Sequence, residues 1–347
     1  MTGLATGTMI VPALITFVAA AILTGLLRRY ALANNMMDEV NARSSHTVPT
    51  PRGGGMSIVL STLAGFAWFA WSGELPLNSA IALGFGGMIV AAMGWFDDHG
   101  HVPAPIRLIA HFSAAILLVV FVDPFPLGWI WLDWFLIEWL VTVVMIVWLI
   151  NLFNFMDGID GIAASEAITV SLGTAVLAAM ADNAGLVFAS LLLAGASAGF
   201  LVWNWQPAKI FMGDACSGFV GFILAGFAVI AAQGTISGFE AAPGVAVMIL
   251  LAVFASDATV TVIRRAFRRE PIFEAHRSHA YQSLARRVGN HWPVTLGCVA
   301  INLIVLLPLA LLVARGTLAP LIGAGVAYAA LVLLVFLLGA GAQERTP

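Results

Sequence analysis

The sequence predicts an all-α integral membrane protein that crosses the bilayer many times. Apolar residues make up 61% of the 347 residues, and charged residues make up only 10%. Soluble domains contain about 45–50% apolar and about 25% charged residues, so this chain requires lipid as its solvent. The apolar stretches lack the alternation of barrel strands. Because backbone polar groups in lipid must be satisfied internally, these stretches are predicted to be helices.

Each crossing helix needs roughly 20 apolar residues to span a bilayer core of about 30 Å. Such stretches recur along the whole chain, and no polar region is long enough for a separate soluble domain. We therefore predict a single transmembrane domain over residues 1–347 with about eleven helices, ten being the alternative number. The predicted spans are 9–27, 56–71, 80–96, 108–122, 135–152, 162–181, 185–203, 216–232, 244–263, 294–313 and 319–340.

The basic residues predict how these helices are oriented. All 15 Lys and Arg residues except Arg315 fall on one side of the alternating spans, and the seven histidines lie in or beside the same segments. Cytoplasmic loops are enriched in Lys and Arg, so this side is predicted to be cytoplasmic, with the N-terminus outside and the C-terminus inside. The net charge of -3 and the lack of a long basic run give no indication of nucleic-acid binding. The predicted cytoplasmic segments are 28–55, 97–107, 153–161, 204–215, 264–293 and the C-terminal tail.

The first of these segments combines basic residues with glycines. Three consecutive glycines, at 53–55, stand at the start of a predicted helix. Arg52 directly precedes them, and Arg43 and His46 lie a few residues earlier. Glycine lets backbone amides approach an anion, and nearby arginines suit phosphate. A flexible loop whose arginines only set the topology is the alternative.

Two adjacent acids directly follow the third predicted span. Asp97 and Asp98 lie against lipid, and Arg107 follows them. Acids in this position are costly unless they bind a metal, a proton or a cation. Simple capping of a helix is the alternative explanation.

Two further segments carry oxygen ligands. Asn154 and Asp157 are three residues apart and can share one helical face. Asp214 follows a glycine at the start of an apolar helix, and Lys209 precedes it. Carboxylate and amide oxygens suit magnesium rather than zinc.

The segment 264–293 is predicted to be a cytoplasmic substrate-recognition loop. It contains His276, Arg277 and His279. Two histidines without further ligands make a weak zinc site, so hydrogen-bonding and cationic groups around an anionic ligand fit better. Asp257 and Glu166, near the cytoplasmic ends of predicted helices, either join the site or have structural partners, such as Arg264 or a backbone carbonyl.

These segments together predict phosphoryl transfer or pyrophosphate cleavage at the membrane surface. Mg²⁺ typically binds through one or two carboxylates plus substrate phosphate oxygens, while Arg, Lys and His bind phosphates. A transporter is the alternative from another class. Transporter sites lie near the bilayer midplane on broken helices with inverted repeats. Here no repeat is visible and the charges cluster at one face, which favours an enzyme.

The motifs resemble those of the polyprenyl-phosphate N-acetylhexosamine-1-phosphate transferases, of the glycosyltransferase family 4 type. The resemblance lies in PTPRGGG at 49–55, the Asp97-Asp98 pair, NFMDGIDG at 154–161 and PAKIFMGD at 207–214. HRSHAYQ at 276–282 resembles the subgroup that starts bacterial O-antigen and related surface glycans, rather than the phospho-MurNAc-pentapeptide transferases. The family often has lysine at the position of Arg107, which keeps the charge but changes the donor geometry.

The resemblance implies that the chain transfers N-acetylhexosamine-1-phosphate from a UDP-sugar to polyprenyl (undecaprenyl) phosphate, giving a polyprenyl-diphosphate sugar and UMP. It implies the bacterial inner membrane, an active site facing the cytoplasm, Mg²⁺ (or Mn²⁺) as cofactor, and a homodimer. UDP-GlcNAc and 6-deoxy donors such as UDP-FucNAc or UDP-QuiNAc both fit, and HRSHAYQ favours the latter by resemblance. The implied metal ligands are Asp214, Asn154 and Asp157, the implied acid/base pair is Asp97 and Asp98, and the implied substrate-binding residues are Arg107, Lys209, His276, Arg277, His279, Arg43, His46 and Arg52.

One implied role conflicts with elementary acid–base chemistry. A phosphate monoester has a second pKa of about 6, so a lipid phosphate is already mostly dianionic at pH 7. It hardly needs a general base. We therefore expect Asp97 or Asp98 to organise the metal or Arg107, or to act as a nucleophile in a two-step route.

Overall fold

The computed structural model describes residues 6–38, 48–100, 102–130, 134–236, 239–240, 242–271 and 276–342. This part of the chain is mostly helical. Its helices are α1 (Thr6–Ala33), α2 (Met56–Trp71), α3 (Leu77–His99), α4 (Ala104–Val122), α5 (Phe135–Met156), α6 (Ile162–Met180), α7 (Ala184–Asn204), α8 (Asp214–Ala232), α9 (Ala242–Leu250), α10 (Ala252–Phe267), α11 (Ala280–Val288), α12 (Trp292–Ala300), α13 (Leu307–Ala314) and α14 (Pro320–Leu338). A 3-10 helix covers Gly128–Ile130, and a π-helix, Ile301–Leu306, joins α12 to α13.

Two short antiparallel strand pairs complete the secondary structure of the described residues. β1 (Met37–Asp38) pairs with β2 (Thr50–Pro51), with Met37 opposite Pro51. β3 (Thr235–Ile236) pairs with β4 (Phe239–Glu240). The first pair follows α1 and leads into the glycines before α2.

Within the described part of the chain, nine helices are long and apolar enough to cross a membrane, and α12 and α13 count together as one of them. The pair α9 and α10 is a further candidate, bent by 67° between the two helices. The apolar helix α2 is shorter, with 16 residues. The predicted all-α membrane protein with many spans is confirmed. The total of eleven spans, the orientation and the single domain stay predictions.

The centre of the bundle is α8. Every residue from Ala215 to Val229 is buried, as expected for a helix that is apolar on all sides. The helices α3, α5 and α9 pack directly against it. By contrast, α1 and α14 expose many large apolar side chains on their outer faces, which suits contact with lipid.

Close packing between α3 and α8 positions the acidic residues. A Cβ atom at Gly94 would lie 2.5 Å from the Cα atom of Ala215, so only glycine allows this approach. The contact brings the last turn of α3, with Asp97 and Asp98, beside the first residue of α8, Asp214. The C-terminal end of α5 meets the same place through Asn154.

The segment 264–293 is not a plain loop. It contains the end of α10 and the nine-residue helix α11, which begins after His279. The Gly341 amide donates to the Ser278 carbonyl at 2.7 Å, so the chain after α14 packs on this segment as well.

Candidate active site

A small cavity of about 50 Å³ lies where α3, α4, α5 and α8 meet. The guanidinium of Arg107 on α4 donates to the carboxylate of Asp97 on α3, and both side chains line the cavity. Asp97 also accepts a hydrogen bond from the Val102 amide at 2.9 Å, which fixes the turn between α3 and α4. The polar lining residues are Asp97, Arg107, His111, Asn151, Asn154 and Asp214.

Asp98 has a different environment from its neighbour. Its side chain is buried, and its two carboxylate oxygens accept the amides of Asp214 at 3.0 Å and Ala215 at 3.1 Å. These amides belong to the first turn of α8, where backbone donors lack partners within the helix. Asp98 therefore caps α8 from another helix. Its carbonyl oxygen also accepts a hydrogen bond from Arg52.

Asn154 and Asp214 line the small cavity, whereas Asp157, the residue that follows α5, does not. The Asn154 amide Nδ2 donates to Asp214 Oδ1 at 2.7 Å, which leaves the Asn154 Oδ1 atom able to bind a cation. Burial raises the pKa of the Asp157 carboxyl to about 7. The negative charges of Asp214, Asp98 and Asp160 shift that pKa in the same direction.

A divalent cation fits this crowding of carboxylates, because its charge would offset their repulsion. Among the described residues, no group of three or more His, Cys, Asp or Glu side chains is arranged to hold a metal alone. Mg²⁺ takes few protein carboxylates and completes its shell with water and phosphate oxygens, and Asp214 with the Asn154 amide oxygen provides donors of that kind.

The His276–His279 segment lies next to this junction. The His276 and His279 rings stack with centroids 4.9 Å apart, and the His279 ring lies 6.4 Å from that of Phe155, which lines the cavity. Burial lowers the pKa of His276 to about 3, with the charges of His279 and Arg265 adding to the effect. His276 is thus a neutral hydrogen-bonding group at pH 7, whereas the sequence suggested a cationic environment. Arg277 lies beside it, and its carbonyl accepts from Arg286 at 3.0 Å.

A second, larger cavity of about 370 Å³ opens beside the turn that follows α5. Asp160 Oδ2 accepts the Ala208 amide at 3.1 Å and lies 3.4 Å from His291 Nδ1. Gln206 Oε1 accepts the amides of His291 at 2.8 Å and Trp292 at 2.7 Å, which caps α12. The lining residues are Val48, Thr50, Asp160, Gln206, Pro207, Ala208, Phe211, Gln282, Ala285, Arg286, Gly289 and His291.

Some sequence-predicted residues lie away from the small cavity. Lys209 is exposed, with its Nζ 5.6 Å from the centre of the Trp203 ring, and it lines neither cavity. Arg52 reaches the Asp98 carbonyl behind the α8 cap. Arg43 and His46 lie outside the described residues. The substrate-binding roles of these four residues stay predictions.

Two cavity residues received no role from the sequence. His111 follows Arg107 by one helical turn, a spacing that places both on one face of α4. Its Nδ1 atom lies 3.3 Å from the Asn151 Nδ2 atom, and Asn151 precedes Asn154 on the cavity side of α5. The sequence could have indicated both residues, because each is a polar residue one helical turn from a candidate site residue, Arg107 or Asn154.

The family model described as Glycosyl transferase family 4 matches residues 80–232, a range that begins in α3 and ends with α8. It contains the residues that form the small cavity. The match therefore covers the bundle centre and its acidic end.

Several curated relatives are similar over most of their length. A probable undecaprenyl-phosphate N-acetylglucosaminyl 1-phosphate transferase of Bacillus subtilis (strain 168) is 28% identical over 290 residues, which cover 79% of this chain and 76% of the relative. A decaprenyl-phosphate N-acetylglucosaminephosphotransferase of Mycobacterium leprae is 27% identical over 318 residues, covering 82% and 77%. A phospho-N-acetylmuramoyl-pentapeptide-transferase of Pelotomaculum thermopropionicum is 28% identical over 320 residues, covering 83% and 94%.

Proposed function

The chain carries a glycosyl transferase family 4 domain, and on this premise we propose that it transfers N-acetylhexosamine-1-phosphate from a UDP-sugar to polyprenyl phosphate. An oxygen of the lipid phosphate attacks the β-phosphorus of the UDP-sugar. The bond from that phosphorus to the bridging oxygen of the diphosphate breaks, and UMP leaves. The product is a polyprenyl-diphosphate sugar, which we take to be the first lipid-linked intermediate of a surface glycan.

The single observation that carries this proposal is the shared cavity. Asp97, Arg107, Asn154 and Asp214 come from four helices and line one space at the ends of those helices. The guanidinium of Arg107 next to acidic and amide oxygens suits a reaction between two phosphate groups, because their negative charges must be neutralised as the two groups approach each other. The curated relatives named above carry out, by their names, transfer of phosphosugars to polyprenyl phosphates or related reactions.

In this proposal Asp214 and Asp157, with Asn154 Oδ1, hold Mg²⁺, with Mn²⁺ as a substitute. When bound, the ion supplies positive charge to the diphosphate and to the incoming lipid phosphate. Arg107 binds the donor diphosphate and is kept in place by Asp97. Asp98 has a structural role, because both of its carboxylate oxygens accept hydrogen bonds from the amides that begin α8.

The remaining substrate contacts follow from the neighbouring segment. The His279 ring lies 6.4 Å from that of Phe155, which lines the small cavity, and the His276 ring stacks on that of His279. These two histidines and Arg277 are proposed to bind the nucleotide sugar from the cytoplasm. Among donors, the names of the Bacillus and Mycobacterium relatives favour UDP-GlcNAc. The 6-deoxy donors suggested by HRSHAYQ are the alternative.

The test is UMP release by the purified full-length chain with undecaprenyl phosphate, Mg²⁺ and a panel of UDP-GlcNAc, UDP-FucNAc and UDP-QuiNAc. We expect release that requires both the lipid and one donor, stops with EDTA and returns with added Mg²⁺. Arg107→Ala should abolish it, whereas Glu166→Gln, a matched change of a buried acid outside both cavities, should retain it. No release with any donor would overturn the proposal.

A further inference from the structure

Asp257 is a buried acid that the proposed reaction does not use. It lies in the second turn of α10, just after the bend from α9, and only 3% of it is exposed. We infer that Asp257 is a positioning residue, which holds the His276–Gln282 segment against the small cavity for binding of the nucleotide sugar. This inference rests on the proposed function for its purpose, but its geometry can be tested separately.

The carboxylate of Asp257 caps α11. Asp257 Oδ1 accepts the Ala280 amide at 2.9 Å, and Oδ2 accepts the Tyr281 amide at 3.0 Å. These two amides open α11 and have no partners within the helix, and a negative charge is favourable at that helix end. The alternatives considered from the sequence, pairing with Arg264 or a backbone carbonyl, are not the contacts observed. Arg264 instead donates to the Ala340 carbonyl at 2.6 Å.

The same carboxylate also lies beside a candidate substrate residue. His279 Nδ1 lies 3.4 Å from Asp257 Oδ1, and the His279 side chain is almost fully buried. Its ring stacks between those of His276 and Phe155. Asp257 therefore caps α11 together with the His279 and Gln282 side chains, and it lies against the histidine pair.

The docked helix reaches the metal-ligand turn directly. The Tyr281 hydroxyl donates to the Phe155 carbonyl at 3.1 Å, and burial raises the pKa of this phenol, so it stays a donor. A Cβ atom at Gly158 would clash with the Tyr281 hydroxyl and lie 2.8 Å from Gln282 Nε2. The absence of a side chain at 158 thus lets α11 lie against the turn that carries Asp157.

A purely structural charge would stabilise the whole fold without favouring one substrate. A positioning role predicts two local effects when the charge is removed: loosening of α11 and weaker binding of the donor alone. Asp257→Asn is nearly isosteric and keeps one acceptor oxygen. Thr261→Val is the matched control, because it removes a hydroxyl that donates to the same Oδ1 atom at 3.1 Å but keeps the carboxylate and both of its bonds to the α11 amides.

The first measurement is amide hydrogen exchange of the full-length protein in lipid nanodiscs. We expect Asp257→Asn to speed exchange at residues 280–288 at least tenfold, while Thr261→Val and Glu166→Gln change it less than twofold. Unchanged exchange in Asp257→Asn overturns the inference. This measurement needs no turnover, so it remains decisive even where the proposed reaction fails.

The second measurement is steady-state kinetics with each substrate varied in turn. We expect Asp257→Asn to raise the KM for the UDP-sugar at least fivefold while leaving the KM for undecaprenyl phosphate within twofold. Equal changes in both KM values, or a fall in kcat alone, contradict a positioning role. Tyr281→Phe leaves the buried charge intact and removes only the hydroxyl bond to Phe155. It should raise the donor KM in the same direction, and an unchanged donor KM in both variants overturns the inference.

Discussion

Asp98→Asn separates a structural role for Asp98 from a role as general base. The carboxylate accepts two amides of α8 at 3.0 and 3.1 Å, and an asparagine could accept only one of them. Hydrogen bonds to charged groups contribute about 1.5–3 kcal/mol each. We therefore expect a loss of about 2 kcal/mol, equivalent to roughly a thirtyfold change in an equilibrium constant.

The loss should affect the position of Asp214, because its amide is one of the two that Asp98 holds. We expect lower thermal stability in nanodiscs and a lower plateau of single-turnover UMP release. The shape of the pH–rate profile should not change, since a purely structural Asp98 removes no proton from the substrate. Asp97→Asn is the control for the α8 cap only, because it leaves both Asp98 bonds to α8 in place. It should lower UMP release as well, since Asp97 pairs with Arg107.

A different result would refute this reasoning about Asp98. If Asp98→Asn keeps the wild-type unfolding temperature but loses the acidic limb of its pH–rate profile, the carboxylate is a general base. Isolation of a phosphorylated enzyme that is lost in Asp98→Asn would instead show a nucleophile and a two-step route.

Three further predictions concern the packing and the charges around the site. Gly94→Ala should cost about 1–3 kcal/mol of stability and lower UMP release, because the new methyl group meets the backbone of α8 rather than a movable side chain; thermal unfolding checks this, and a wild-type midpoint would refute it. Arg107→Lys should keep UMP release within about tenfold of wild type, since the positive charge facing Asp97 remains, whereas Arg107→Ala should lose far more. Equal losses in the two variants would show that the positive charge is not what Arg107 contributes. Glu166→Gln should be at least as stable as wild type. Glu166 accepts a hydrogen bond from the Asn302 amide at 2.7 Å, while the Asn302 side-chain oxygen lacks a partner among the described residues, and a glutamine amide could donate to that oxygen. A lower melting temperature in the variant would contradict this.

Membrane helices were predictable from the sequence because lipid imposes length and apolarity on every span. The predicted limits of α2 coincide with Met56–Trp71, and the other helices extend only a few residues beyond their predicted spans in most cases. The bend between α9 and α10 was not predicted. The two helices together are apolar enough for one span, and no proline lies at the break, so hydropathy alone gave no signal for it.

The acidic pair shows the limit of sequence reasoning at the site. Adjacent helical residues point about 100° apart, so Asp97 and Asp98 cannot share one environment. The sequence did not indicate which acid faces α4 and which faces α8, because that depends on how these two helices pack against α3. The structure places Asp97 against Arg107 and Asp98 against the start of α8. Asp257 was harder still, since its partner amides lie 23 and 24 residues further along the chain.

In the proposed reaction a sugar phosphate, rather than the sugar alone, is transferred to a lipid phosphate. The most direct measurement uses UDP-GlcNAc labelled with ³²P at the β-phosphorus, or the preferred donor of the panel labelled in the same way. We expect the label to enter the undecaprenyl product and the released nucleotide to be unlabelled UMP. Release of labelled UDP, with an unlabelled lipid product, would contradict it.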